Sequence, residues 1–192
     1  MATIDRGHRE AVTVRHTGER PGAGETSLAV LRITTGLLFL WAFADKVFGL
    51  GYATTANNAW ITGGSPTKGF LSRADVGPFA GTLQSWAGAA WADWLFMLGL
   101  LGVGVAVTLG IGLRIAAATG VIMMLLMWVA EWPLDRTTSA GEPSMSTNPV
   151  IDYHVIYAIA LIALAASAAG NRWGFGERWS RMSFVERNKW LR

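Results

Sequence analysis

The sequence predicts an all-α integral membrane protein: a four-transmembrane-helix bundle with both termini cytoplasmic and a long structured outer loop between spans one and two. Three observations carry this reading. Of 192 residues, 52% are hydrophobic and 15% charged, whereas soluble domains carry about 25% charged residues. Uncharged stretches approach or reach the roughly 20 residues a bilayer-crossing helix needs: Trp94 to Leu113, Ile115 to Ala130, and Tyr153 to Asn171. Basic residues also partition. With four alternating spans, one side holds Arg6, Arg9, Arg15, Arg20, Arg32, Arg114, Arg172, Arg178, Arg181, Arg187, Lys189 and Arg192, and the other only Lys46, Lys68, Arg73 and Arg136. Cytoplasmic segments carry the Lys/Arg excess, so both termini are expected inside.

Residues 1–27 mix four Arg with four acidic residues and have no apolar core, so they read as a cytoplasmic polar tail rather than a signal peptide. The transmembrane domain is expected over 28–170, with spans near 28–50, 92–111, 113–133 and 150–170. In the first span Arg32 is expected to snorkel to the inner interface, with Asp45 and Lys46 near the outer one. Arg32 and Asp45 are taken as structural. Arg32, Gly36, Phe39, Phe43 and Lys46 share a helical face, which would point Lys46 inward to pair with Asp152 or Glu131.

Residues 51–91 are too long for an ordinary helix–helix link and should fold back as an outer cap. Within it, Ser65 is a good N-cap and Pro66 suits the first helical position. That helix start, beside Lys68, would offer free backbone N–H groups to an anion.

Asp93 reads as an interfacial residue beside Trp91 and Trp94. Gly102, Ala106 and Gly110 form a small-residue stripe suited to close helix packing, and Gly110-Ile111-Gly112 makes the inner turn. Glu131 shares a face with Met124, Met127 and Trp128, the Met residues reading as packing. Residues 133–148 read as loop.

Asn148 is expected to cap the fourth span and Pro149 to start it, with Asp152 in the first turn where the helix dipole favours a carboxylate. His154 shares a stripe with Ala158, Leu161 and Ala165, facing the bundle interior. A histidine at that depth suits either proton transfer or a structural hydrogen bond. Residues 171–192 mix Trp173, Trp179 and Trp190 with six basic residues, a composition suited to lying along an anionic inner leaflet.

Ionisable groups near hydrocarbon are costly and tend to mark function. Here they gather on the outer side: Asp45, Lys46, Glu131, Asp152 and His154, with Ser65 and Lys68 as a lid. There is no cysteine, which excludes thiolate chemistry and Cys-ligated clusters. Bis-His haem is excluded because His8 and His16 lie in the tail. Walker, HExxH and GxSxG motifs are lacking, so no haem, metal or covalent cofactor is expected. The pI near 9.7 reflects the positive-inside bias rather than nucleic-acid binding.

Several motifs together resemble the DoxX/DoxD family of small four-helix membrane proteins, which includes the small subunit of thiosulfate:quinone oxidoreductase. They are LRITTGLLFLWAFADKVFG (31–49), AWITGGSPTKGFL (59–71), GPFAG (77–81), DWLFMLGLLGVG (93–104), LGIGLRIAA (109–117) and NPVIDYH (148–154). The resemblance covers about residues 28–175. It implies thiosulfate oxidation at the outer face of a prokaryotic plasma membrane, with electrons passed to an exchangeable membrane quinone.

Chemistry, rather than the resemblance, suggests which residues would act. Lys46, Lys68 and Ser65 would attract the dianion; His154, Asp152 and Glu131 would relay protons as catalytic groups; Trp41, Phe43 and Tyr157 would line a quinone-ring pocket. Expected partners are the lipid bilayer, the quinone, and another redox subunit or a second copy of the chain. The alternative reading is a non-catalytic membrane anchor or assembly partner for a soluble oxidoreductase.

Overall fold

The computed structural model describes residues 22–144 and 146–192. Most of the predicted N-terminal tail, with His8 and His16, lies outside the described residues. Helix α1 spans Ala23–Phe48, beginning five residues before the predicted span. Short helices α2 (Lys68–Leu71) and α3 (Ala80–Trp86) follow in the cap, then α4 (Ala90–Leu109), α5 (Leu113–Glu131) and α6 (Tyr153–Ala166). The chain ends with α7 (Gly176–Ser180), α8 (Ser183–Arg187) and a 3₁₀ turn. Among the described residues there is no strand, only an isolated bridge between Thr137 and Pro143.

Helices α1, α4 and α5 are each long and apolar enough to cross a membrane. Helix α6 is shorter than predicted, 14 residues, or about 21 Å at 1.5 Å per residue. Two local structures shorten it. Asn148 Oδ1 accepts from Val150 N and Ile151 N, holding that stretch as a turn. Asp152 then becomes the N-cap, its Oδ1 accepting from Val155 N at 3.1 Å. The cap predicted at Asn148 therefore moves four residues along the chain, because Asp152 offers the first orphan N–H groups a carboxylate.

The four long helices pack in a ring, α1 against α4 and α6, and α5 against α4 and α6. Neighbours run antiparallel: Gly36 lies against Thr108 and Gly104 against Leu40 across α1–α4, and Gly120 against Leu161 across α5–α6. The core between them is built from Phe39, Met97, Leu100, Val103, Leu161 and Leu164. Facing outward are Leu37, Leu95, Leu98, Ile122, Leu125 and Ile159. So broad an apolar exterior suits contact with lipid, as in a multi-pass membrane protein.

At one end, the cap end, residues 51–89, 133–144 and 146–148 fold over the bundle. Trp60 packs edge-on against Trp94, centroids 4.7 Å apart. Leu83, Ala74 and Ala130 form a second small core with Phe70, Leu71 and Trp86. The stretch expected to be plain loop is pinned to this cap: Ser139 N and Oγ both donate to Asp75 Oδ2, at 3.0 and 2.6 Å. Those bonds favour the ionised form and hold the Asp75 carboxyl below its ordinary value of 3.8.

At the other end, the tail end, the C-terminal segment is folded against α5. Val185 and Leu191 are buried, Trp179 Nε1 donates to Leu191 O, and Arg114 donates to Trp190 O. Trp173, Phe175, Phe184 and Trp190 remain exposed.

Candidate functional site

The cap end gathers the ionisable residues that the sequence singles out, but in separate groups instead of one. Glu131 is the last residue of α5, and Asp152 and His154 open α6; antiparallel packing of the two helices brings them together. His154 is 1% exposed. Its Nδ1 is 2.8 Å from Asp152 Oδ2 and 3.9 Å from Glu131 Oε2. Tyr153, whose ring lies over the imidazole with centroids 4.0 Å apart, donates its hydroxyl proton to Glu131 Oε1 at 2.7 Å. His154 Nε2 is buried without a hydrogen-bond partner. The donor atoms of Glu131, Asp152 and His154 all lie within 4.8 Å of one another, close enough to hold one ion. Tyr153 is the member that sequence reasoning missed; its place just before His154 in NPVIDYH was the available signal.

Lys46 does not join them. Among the described residues it makes no ion pair, and its ammonium sits 5.7 Å from the Phe96 ring centroid. The expected pairing with Asp152 or Glu131 fails because the shared face of α1 turns Lys46 toward α4. Asp45 looks the other way. It is 2% exposed, and its oxygens accept from Tyr52 N at 3.3 Å and Ala53 N at 3.0 Å, tying the start of the cap to α1.

The predicted anion site is occupied by the protein's own carboxylate. Asp93, in the first turn of α4, is 6% exposed. Its Oδ1 accepts from Ser65 Oγ at 2.9 Å, Thr67 N at 2.9 Å and Thr67 Oγ1 at 2.6 Å. Lys68 N donates to Ser65 Oγ at 3.2 Å, so Ser65 does accept an amide from the start of α2, although Thr67 precedes the helix. Asp93 is thus a buried anchor for the cap, not an interfacial residue. Hydropathy could not show this, because the partners lie 26 and 28 positions away. Ser65 and Lys68 border a separate polar hollow of ≈ 460 Å³ with Asn57, Asn58 and Thr62, instead of covering His154.

A long apolar groove of ≈ 940 Å³ runs between α4 and α5. Lys46, Phe96 and Thr67 border its cap end, Gly102 and Ala106 its middle, and Trp179 its tail end. The Gly102–Ala106 stripe, expected to pack against a helix, lines this groove; a Cβ on Gly102 would meet nothing within 4 Å. Close packing falls instead on Gly36 and Gly104.

The expected ring pocket of Trp41, Phe43 and Tyr157 does not form. Trp41 is exposed and stacks edge-on against Tyr52, whereas Phe43 and Tyr157 pack into the main core. Arg32, expected to snorkel, is fully buried at the tail end. Its guanidinium donates to Val107 O at 2.8 Å, Thr108 O, Arg172 O at 3.2 Å and Trp173 O at 2.9 Å. Four carbonyls from two segments thus hold this one side chain.

No family model, curated protein or solved structure matches the chain.

Proposed function

We propose that the chain is a four-span membrane subunit that binds a membrane quinone, with both termini in the prokaryotic cytoplasm, in keeping with its DoxX/DoxD resemblance. One observation carries the reading: the groove between α4 and α5 joins a long apolar channel to the ammonium of Lys46, which makes no ion pair among the described residues. A quinone has the matching parts. Its isoprenoid tail gains by leaving competing contacts for an apolar slot, and its ring carbonyls are acceptors for an ammonium donor. The groove opens sideways toward the exposed apolar faces of α4 and α5, so a ligand enters from lipid and remains exchangeable. Phe96 flanks the ammonium, and Trp86 and Trp91 line the same end; these aromatic faces replace Trp41, Phe43 and Tyr157 as the surfaces for a ring.

Thiosulfate is the electron donor implied by the resemblance. The Ser65 helix start expected to hold it is filled by Asp93, which leaves Lys68 and its polar hollow as the surface to test. The alternative, an anchor for a soluble oxidoreductase, draws support from the folded C-terminal segment with exposed Trp173, Phe175, Phe184 and Trp190.

Photo-crosslinking tests the quinone reading. Purified protein in lipid nanodiscs is irradiated with an azido-quinone, and labelled peptides are mapped. Saturable labelling of α4 and α5 is expected, weakened about tenfold by Lys46→Met, the loss of one charge-assisted hydrogen bond. Gly102→Leu fills open space and should abolish labelling. Labelling that ignores Gly102→Leu overturns the reading. Recovery of a soluble oxidoreductase with wild-type membranes, lost when residues 172–192 are removed, would favour the anchor.

A further inference from the structure

We propose that Glu131, Asp152 and His154 form a binding site for one divalent transition-metal ion at the cap end. The three side chains come from the end of α5 and the start of α6, and no local sequence motif unites them. Their donor atoms converge: His154 Nδ1 is 2.8 Å from Asp152 Oδ2 and 3.9 Å from Glu131 Oε2, all within a 4.8 Å set. An ion bonded at about 2.0–2.2 Å to carboxylate oxygens and an imidazole nitrogen keeps those atoms on the order of 3–4 Å apart. The Asp152–His154 contact must open by a few tenths of an ångström, and a pair near the 4.8 Å limit must close to about 4 Å.

The remaining oxygen of each carboxylate is already engaged. Asp152 Oδ1 accepts from Val155 N, and Glu131 Oε1 accepts from the Tyr153 hydroxyl. Oδ2 and Oε2 are thereby left facing the imidazole, and outer hydrogen bonds of this kind orient metal ligands.

Charge supplies the second, independent argument. Two carboxylates meet here, and among the described residues no Lys or Arg forms an ion pair with either. Glu131 also ends α5, where the helix dipole disfavours negative charge. The group lacks a cation, and its donors define the class. Two oxygens and one imidazole nitrogen suit Zn²⁺, Mn²⁺ or Fe²⁺ over Cu⁺. Glu131 keeps the solvent side partly open, with 37% of its side chain exposed, so three protein ligands leave a position for water.

The test uses the full chain in detergent, stripped with a chelator, dialysed, and titrated with Zn²⁺ and with Co²⁺. Bound metal is measured by elemental mass spectrometry, and Co²⁺ coordination by visible absorption. One equivalent is expected. Glu131→Gln and Asp152→Asn should each lower affinity at least about tenfold and alter the Co²⁺ spectrum. Asn preserves the helix cap and Gln can still accept from Tyr153, so both variants should keep helical content by circular dichroism. If Asp152→Asn loses helix, Glu131→Gln decides alone. Failure to bind one equivalent overturns the proposal. So does binding that Glu131→Gln leaves unchanged, which assigns the ion elsewhere in the chain.

Discussion

At the tail end of the bundle, one guanidinium satisfies carbonyls from two distant segments. A helix leaves its last four C=O groups without partners, and those of α4 are all engaged. Ala106 O receives Ile111 N and Val107 O receives Gly110 N. Leu109 O receives Phe175 N, and Arg32 serves both Val107 and Thr108. The same side chain reaches Arg172 O and Trp173 O, so it staples α1, α4 and the C-terminal segment. A cation at a helix C-terminus is also favoured by the dipole. Arg32→Met should cost about 3 kcal/mol or more, because several buried carbonyls lose a charged donor at once. Arg32→Lys should recover less than half, since an ammonium lacks the planar fork. Reversible unfolding in mixed micelles measures both. Asp93 plays the equivalent part at the cap end, and both residues illustrate why single positions misread from hydropathy. An Arg or Asp near a span end has the same signature whether it snorkels or is enclosed; remote carbonyls or hydroxyls decide.

Among elements, the α1–α4 seam depends on backbone proximity. A Cβ on Gly36 would stand 2.5 Å from Thr108 N and one on Gly104 would stand 2.8 Å from Leu40 Cδ2. Gly36→Val should force the helices apart and destabilise by roughly 1–3 kcal/mol, as overpacking does. Gly102→Val, over open space, should cost far less, a contrast that thermal shift in detergent can read. The three longest helices were legible as apolar stretches because hydropathy is carried by each residue independently. Helix α6 was overestimated at both ends; at its start, a turn at Asn148 and a carboxylate cap at Asp152 outweigh apolar content. Residues 51–89 stood out by length and aromatic content, but the side chains that α2 and α3 meet did not.

The cap latch adds a pH dependence. Ser139 holds the Asp75 carboxyl below 3.8, a depressed value, so the latch is intact above the ordinary pKa and is lost as pH falls through the lower folded one. The protection factor of the Ser139 N–H, its exchange rate relative to the intrinsic rate at each pH, should be high at neutral pH and fall in acid. Asp75→Asn should remove that step.

For the whole molecule, the excess of Lys and Arg at the tail end predicts orientation. A cysteine at exposed Glu142 should react with an impermeant thiol reagent on intact cells, and one at Arg192 only after lysis. Reversed labelling would place the groove's Lys46 end and the Glu131–Asp152–His154 group on the inside. Because the wild type has no cysteine, each variant reports a single position.

From sequence alone come the helical class, three helices long and apolar enough to cross a membrane, and the ionisable residues at the ends of the apolar stretches. These follow from residue type, spacing and chain alternation, which need no knowledge of neighbours. Tertiary structure alone decided which groups meet. It enclosed Arg32, turned Asp93 into an anchor, left Lys46 at a groove and joined Tyr153 to Glu131 across two helices. The reason is geometric: a hydrogen bond or shared ion depends on a few ångströms between atoms distant in sequence, and only helix packing sets that distance.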